Sequence, residues 1–353
     1  MATEGTRPEI LLSQAQIGVL TKTEKSIISR KISKMNIARS GENDKKRERE
    51  KFSLDAVREI SREILKIKTP EAKVLQFFNY KGGVGKTVLS SQVAFHLSLM
   101  GFKVLAFDLD PQAHMTKNLG FINNGKINFS DVITGVQDIE EVIVPHINGL
   151  DIIPSTLRLS RAENELFGKN NRETIVKRLL APILDNYDYI IIDTNPSISF
   201  LNYNAMLAAD QIFAICQTEP NSLDGMIDLF DDFERFENDM EVKLNVKVVG
   251  NMYAQKSATS QEILGLLRNN FKDGMLQTVI RKSEDINLAT KYERPIIEFA
   301  KMRSVALEDI INFTHEIAEL TKGISKKKLA GEEKETRYNT NHQSEIELSQ
   351  PLN

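Results

Sequence analysis

NYKGGVGKTVLSSQVAFHL, residues 79–97, decides how this chain is read. Gly82, Gly83 and Gly85 stand close together and run directly into Lys86 and Thr87. Glycines let backbone N–H groups close around phosphates, a lysine adds compensating charge, a threonine hydroxyl can hold Mg²⁺, and a helix N-terminus favours the anion. The apolar run VLQFFNY (74–80) precedes the loop, and Val93, Ala94 and Leu97 mark the inward face of a helix after it. Strand, glycine loop and helix in that order make a nucleotide site. The ordinary phosphate-loop pattern places a glycine at position 80, where this chain has Tyr80; it carries instead a second lysine, Lys81, ahead of the glycines.

Outward from the loop, short apolar runs alternate with helical stretches: KVLAFDLD (103–110), LDIIPS (150–155), YDYIIIDT (187–194), QIFAICQT (211–218), VKVVGNM (246–252) and QTVI (277–280). Nearly continuous apolar runs indicate strands buried on both faces of a parallel sheet, so the expected fold is α/β, doubly wound and mostly parallel. Residues 1–70 read differently. Arg7-Pro8 is expected to start a helix carrying Ile10, Leu11, Ile17 and Leu20, a second helix spans 25–35, and a third follows Ser53 as N-cap, with Phe52 and Val57 as a hydrophobic staple. Residues 38–51, ARSGENDKKREREK, are too polar for a core, and Thr69-Pro70 closes the segment. The expected division is a small helical module over 1–70, a nucleotide-binding domain over 71–325, and a polar, unstructured tail over 326–353.

Composition narrows the function. The single cysteine, Cys216, supplies neither a disulfide framework nor the paired thiolates of an iron–sulfur carrier. No apolar run reaches membrane-spanning length and the N-terminus lacks a signal-peptide layout, so a cytoplasmic protein is expected. The net charge of −3 is unevenly spread: residues 1–70 hold sixteen Lys/Arg against ten Asp/Glu, and the remainder is acidic. A basic leading piece fits a module that meets a polyanion and fits a solvated arm equally well.

Two acidic strand ends bear on the loop. Asp108 and Asp110 follow the second strand of the nucleotide domain, and Asp193 ends YDYIIIDT; both groups are expected at the carboxyl edge of the sheet, where open α/β folds bind ligands. Alone, each aspartate could equally cap a turn or terminate a strand.

KGGVGKT (81–87) resembles the deviant Walker A box of the ParA/MinD ATPases, and DLDPQ (108–112), QTEPNSLDGM (217–226), VVGNMYAQKSATSQEIL (248–264) and residues 278–310 extend the resemblance from about Val74 to Leu320. The resemblance implies an ATP- and Mg²⁺-dependent homodimer. Lys81 would reach the partner's nucleotide, and Lys86 its own. Gly82, Gly83, Val84, Gly85, Thr87 and Val88 would surround phosphate, with Val88 standing where the family usually has a second threonine. Asp110 would position the attacking water with Asp108 in support, and Thr87, Asp193 and Asp110 would serve the metal. Residues 194–196 would enter the second switch, and Gln217, Pro220 and Asn251 would approach the base. In such a family the ATP dimer binds DNA non-specifically, giving Lys256, Arg268, Arg281 and Lys282 as candidates, and a ParB-type centromere-binding protein stimulates weak hydrolysis during plasmid or chromosome segregation at the nucleoid.

Residues 1–70 resemble, more weakly, the winged helix-turn-helix piece of long-form partition proteins, which reads the operator of its own operon; Lys45, Lys46, Arg47 and Arg49 would form a basic wing. A dimerising arm is the alternative. Of the rival functions, a MinD-like membrane-site selector needs a basic amphipathic C-terminal anchor, whereas the apolar face of 305–320 (Val305, Ile310, Phe313, Ile317, Leu320) reads as core and the C-terminus is polar. A transcriptional repressor that uses nucleotide only as a ligand is the other.

Overall fold

The computed structural model describes residues 10–37, 51–68, 71–125, 127–166, 172–197 and 199–322. The expected wing residues Lys45, Lys46, Arg47 and Arg49, and the tail 326–353, lie outside these.

The chain opens with β1 (Leu11–Ser13), α1 (Gln14–Thr21), α2 (Lys25–Met35), β2 (Lys51–Ser53) and α3 (Leu54–Leu65). The first helix starts later than Arg7-Pro8 suggested: Ser13 and Gln16 close a reciprocal capping box, and Leu11–Ser13 instead pair antiparallel with Lys51–Ser53. The second and third helices fall where their apolar spacing put them, and Ser53 accepts from the Ala56 N–H as N-cap.

The nucleotide domain continues through β3 (Lys73–Phe78), α4 (Lys86–Met100), β4 (Val104–Asp108), α5 (His114–Asn118), α6 (Phe129–Thr134), β5 (Val144–Ile147), β6 (Leu150–Ile153), α7 (Leu159–Leu166) and α8 (Ile175–Leu180). It ends with β7 (Tyr189–Asp193), α9 (Phe200–Ala208), β8 (Gln211–Gln217), α10 (Ser222–Met240), β9 (Val246–Asn251), α11 (Ala258–Phe271), α12 (Glu284–Tyr292) and α13 (Val305–Lys322). Seven strands form one sheet in the order β5-β6-β4-β7-β3-β8-β9, parallel except for β5. Every residue of β3, β4, β7 and β8 is buried, which explains their unbroken apolar sequence. The register sets Asp108 beside Asp193 on adjacent strands.

Within the seven-stranded domain two further elements depart from the sequence expectation. QTVI (277–280) forms no strand: the Gln277 and Thr278 N–H groups donate to the Glu316 carboxylate at 2.7 and 2.9 Å, and only Leu276 and Ile280 reach β9 carbonyls. The edge strand β5 was missed because its four residues include Pro145 and none is fully buried. On α13, Ile310, Phe313 and Ile317 are fully buried as expected, while Val305 is 39% exposed.

One apolar cluster unites Leu12, Ile17, Leu20, Ile28, Phe52, Val57 and Ile60 with residues of β3, α4 and α13. Polar contacts lock the same junction. Arg58 donates to the Ser98 carbonyl at 2.7 Å and to that of Phe102, Arg62 reaches Gly101 O at 3.2 Å, and Gln16 reaches Ile297 O at 2.6 Å. Gly101 ends α4 with φ +112°, and a Cβ there would lie 2.7 Å from the Arg62 Cβ, so backbone and packing both require glycine.

Candidate nucleotide site

The glycine loop hangs between the end of β3 and the first turn of α4, at the centre of the sheet and on its carboxyl edge. Its main chain is held from outside by three side chains. Asn79 accepts the Lys81 N–H at 2.8 Å, Gln217 Nε2 donates to Gly83 O at 3.2 Å, and Asn251 Nδ2 donates to Val84 O at 2.7 Å. Carbonyls fixed outward leave the loop's N–H groups to face inward, the arrangement an anion needs. Gly85 is the N-cap of α4 at φ +96° with no side-chain cap, and a Cβ on it would sit 2.3 Å from Asn251 Nδ2. The free N–H groups of the first turn therefore point at the same place as the loop.

Lys86 is buried and its Nζ donates to Lys81 O at 3.1 Å. Burial pushes its pKa down to about 8, against the opposing pull of Asp193 and Asp110. A phosphate would restore its charge. Lys81, by contrast, is exposed.

The acidic residues sit where β4 and β7 end. Asp108 is fully buried and its two oxygens are spent within its own segment: Oδ1 accepts the Asp110 N–H at 3.2 Å, and Oδ2 accepts the Thr116 N–H and hydroxyl at 2.8 and 2.6 Å. Desolvation raises its pKa to about 7 despite those bonds. It is thus a brace for the loop carrying Asp110, consistent with a supporting part. Asp110 accepts the Gln112 N–H at 2.9 Å and faces the cavity, with His114 Nδ1 4.0 Å away.

Asp193 tests whether a cation belongs here. It is fully buried, Ser90 Oγ donates to its Oδ1 at 3.1 Å, and Oδ2 makes no hydrogen bond. Burial and the neighbouring Asp108 drive its pKa well up, while Thr87 and Lys86 favour the charged form. An orphaned buried carboxylate oxygen beside a threonine hydroxyl fits a divalent cation. Among the described residues no set of three or more His, Cys, Asp or Glu could hold a metal unaided, which suits Mg²⁺ shared with phosphate and water.

Part of this set lines a cavity of about 860 Å³, with Asp193, Asp108, Lys81, Gly82 and Val84 outside its lining. Gly83, Gly85, Lys86, Thr87, Val88, Asp110 and Asn251 border it as the sequence grouped them. It is also lined by Ser283, Asn287 and Thr290, which were not anticipated, and by Lys282, which was named only as a DNA contact. Pro220 lies apart, exposed and lining a neighbouring cavity of about 320 Å³ with Thr218, Met252 and Lys282. Of the four basic candidates, Lys256, Arg268 and Lys282 are exposed. Arg281 is turned inward: its Nε and Nη2 bond Asp309 at 2.8 and 2.6 Å, and Nη2 reaches Glu308 at 2.7 Å. That fork neutralises the guanidinium and leaves it poorly placed for a nucleic-acid phosphate.

Residues 72–246 match the model of a family described as an AAA domain. The chain is 31% identical over 229 residues to the chromosome-partitioning ATPase Soj of Treponema pallidum, covering 64% of this chain and 90% of that protein. It is 31% identical over 250 residues to the sporulation initiation inhibitor protein Soj of Bacillus subtilis, covering 70% and 98%. Among solved structures, a plasmid partition protein of Borrelia burgdorferi bound to AMPPNP superposes with a TM-score of 0.59 at 28% identity, over 71% of this chain and 98% of that one.

Proposed function

Because the chain belongs to the ParA/Soj family of partition ATPases, we propose that it is an ATP-fuelled dimer switch that moves plasmid or chromosomal DNA together with a ParB-type centromere-binding partner. The observation that carries this reading is the loop itself: a buried Lys86 and an exposed Lys81 on one phosphate cradle, facing the buried Asp193 and the braced Asp110.

Lys86 and the loop N–H groups bind the nucleotide's phosphates in their own protomer. Lys81 extends to the nucleotide of the partner subunit. Thr87 and Asp193, with Asp110 close by, are the residues that would hold Mg²⁺, which when bound neutralises phosphate charge. Asp110 orients the attacking water, and Asp108 keeps Asp110 in place through the Thr116 and Asp110 amides. Phosphoryl transfer needs positioning and charge compensation above all, so turnover stays slow until the dimer is complete.

DNA enters at two places. Lys256, Arg268 and Lys282 are exposed and supply sequence-independent phosphate contacts in the dimer, at the nucleoid. The N-terminal module supports a second, operator-reading activity. α1 and α2 are joined by three residues, with Lys22 left-handed, and α2 exposes Lys25, Ser26, Ser29, Arg30 and Lys34 while burying Ile28 and Ile32. A short helix pair with one basic, acid-free face suits a DNA groove. No described helix is long and apolar enough to cross a membrane.

The test compares hydrolysis with and without duplex DNA and partner, alongside operator binding. DNA-stimulated turnover is expected, and Lys25→Ala with Arg30→Ala should weaken operator binding while sparing that stimulation. A protein that binds its operator with ATP yet never hydrolyses it would instead be a nucleotide-liganded repressor.

A further inference from the structure

Asn79 stands between the last residue of β3 and the residue before Lys81, and both ends of its amide are engaged. The β3–β8 ladder ends with Phe78 opposite Ala214. One step further on, the Asn79 side chain takes over: Nδ2 donates to Ile215 O at 2.7 Å and lies against Met226 Sδ, while Oδ1 accepts the Lys81 N–H at 2.8 Å. The Lys81 carbonyl is held separately by Lys86 Nζ at 3.1 Å. The peptide groups on both sides of the Lys81 Cα are therefore tied down, one to the sheet through Asn79 and one to the cis lysine, while the Lys81 side chain stays exposed.

We propose that Asn79 is the positioning residue for Lys81: its buried amide anchors the Lys81 N–H to β8, so that the side chain projects outward in the orientation a second subunit's nucleotide requires. The inference rests on Lys81 acting across the dimer. An Asx-type bond from residue i to the N–H of residue i+2 fixes a turn that a lysine alone would not hold. Because the Gly83 and Val84 carbonyls farther along the loop are held by Gln217 and Asn251 instead, Asn79 should matter for the trans lysine far more than for the cis phosphate cradle.

The experiment uses the full chain as Asn79→Ala, Asn79→Ser, Lys81→Ala and the Asn79→Ala/Lys81→Ala pair, with nucleotide affinity, ATP-dependent dimer formation and kcat measured for each. Asn79→Ala is expected to lower kcat and dimer formation at least tenfold with nucleotide affinity within about threefold of wild type. In the Lys81→Ala background it should cost less than about twofold more, because the residue it positions is gone. Asn79→Ser, whose hydroxyl can still accept from the Lys81 N–H, should recover most of the dimer, and this comparison also serves should Asn79→Ala fold poorly. Multiplicative losses in the pair, or equal losses of affinity and turnover in Asn79→Ala and Asn79→Ser, would overturn the proposal. A Lys81→Ala protein that dimerises and turns over normally would overturn the trans assignment first and this proposal with it.

Discussion

Asn251 shows how a residue can serve a nucleotide it need not touch. Its amide holds Val84 O at 2.7 Å across a long loop of intervening chain, and Gly85 is glycine partly because that amide occupies the space of a Cβ. Removing it leaves a loop carbonyl without its donor, a change worth ~1 kcal/mol. Asn251→Ala should therefore lower the melting temperature of the empty protein by about 2–4 °C and, because the loosened loop must be re-ordered around phosphate, weaken ATP binding about fivefold, measured by thermal melts and nucleotide titration. At this scale the sequence was partly legible. Lys81, Lys86, Thr87 and the glycines declare themselves by spacing, because a phosphate cradle is built from consecutive residues. Asn79, Ser90 and Thr116 carry no such local pattern: Asn79 and Ser90 bond groups distant in the chain, Thr116 bonds Asp108 across a turn, and a polar residue at the end of an apolar run looks the same whether it braces a loop or ends a strand. Arg281 illustrates the converse, a basic residue in a basic stretch whose charge is spent on Asp309 and Glu308.

At the scale of elements, the parallel strands were readable because burial on both faces demands unbroken apolar runs, and the loop helix because it follows the glycines. QTVI misled because a short stretch ending in two β-branched apolar residues beside β9 has the composition of a strand, while the Gln277 and Thr278 amides are claimed by Glu316 on α13. Helix α4 carries a further consequence. His96 is fully buried on it, Nδ1 donating to Gln92 O at 2.6 Å and Nε2 unpartnered, and His315 of α13 opposes its charging. Burial lowers its pKa from 6.5 to about 4. The neutral ring is the native form, so its contribution to stability is intact above pH 6.5 and is lost as pH falls from there toward 4, by ~3 kcal/mol in full. Denaturant titrations of wild type and His96→Gln across that window should show the wild type losing stability relative to the variant as acid is added. A constant difference would mean that folding leaves the pKa of the ring unshifted, and would contradict its burial as the neutral form.

For the whole molecule, the basic surplus before residue 70 suggested a separable module, whereas its apolar side packs into the same cluster as β3, α4 and α13. Sequence could not show this, since an amphipathic helix presents the same pattern whether its apolar face covers its own module or a neighbour. Ile60→Ala, a buried change on α3, should cost ~2–5 kcal/mol and lower a single cooperative transition monitored by melting with and without nucleotide; an early, separate transition that leaves nucleotide protection untouched would contradict a shared core. A shared core also ties α3 to the phosphate loop through α4, which runs from Lys86 to the carbonyls that Arg58 and Arg62 hold. The central claim, though, is that each active site is completed by a second copy of the chain, and complementation addresses it most directly. Lys81→Ala and Asp110→Ala proteins, each inactive alone, are mixed in equal amounts with ATP and Mg²⁺. In a mixed dimer the Lys81→Ala protomer keeps its own Asp110 and receives an intact Lys81 from its partner, so one site in each mixed dimer is whole and turnover should recover to about a quarter of wild type. A mixture as inactive as its two components would place Lys81 at its own nucleotide and contradict the account.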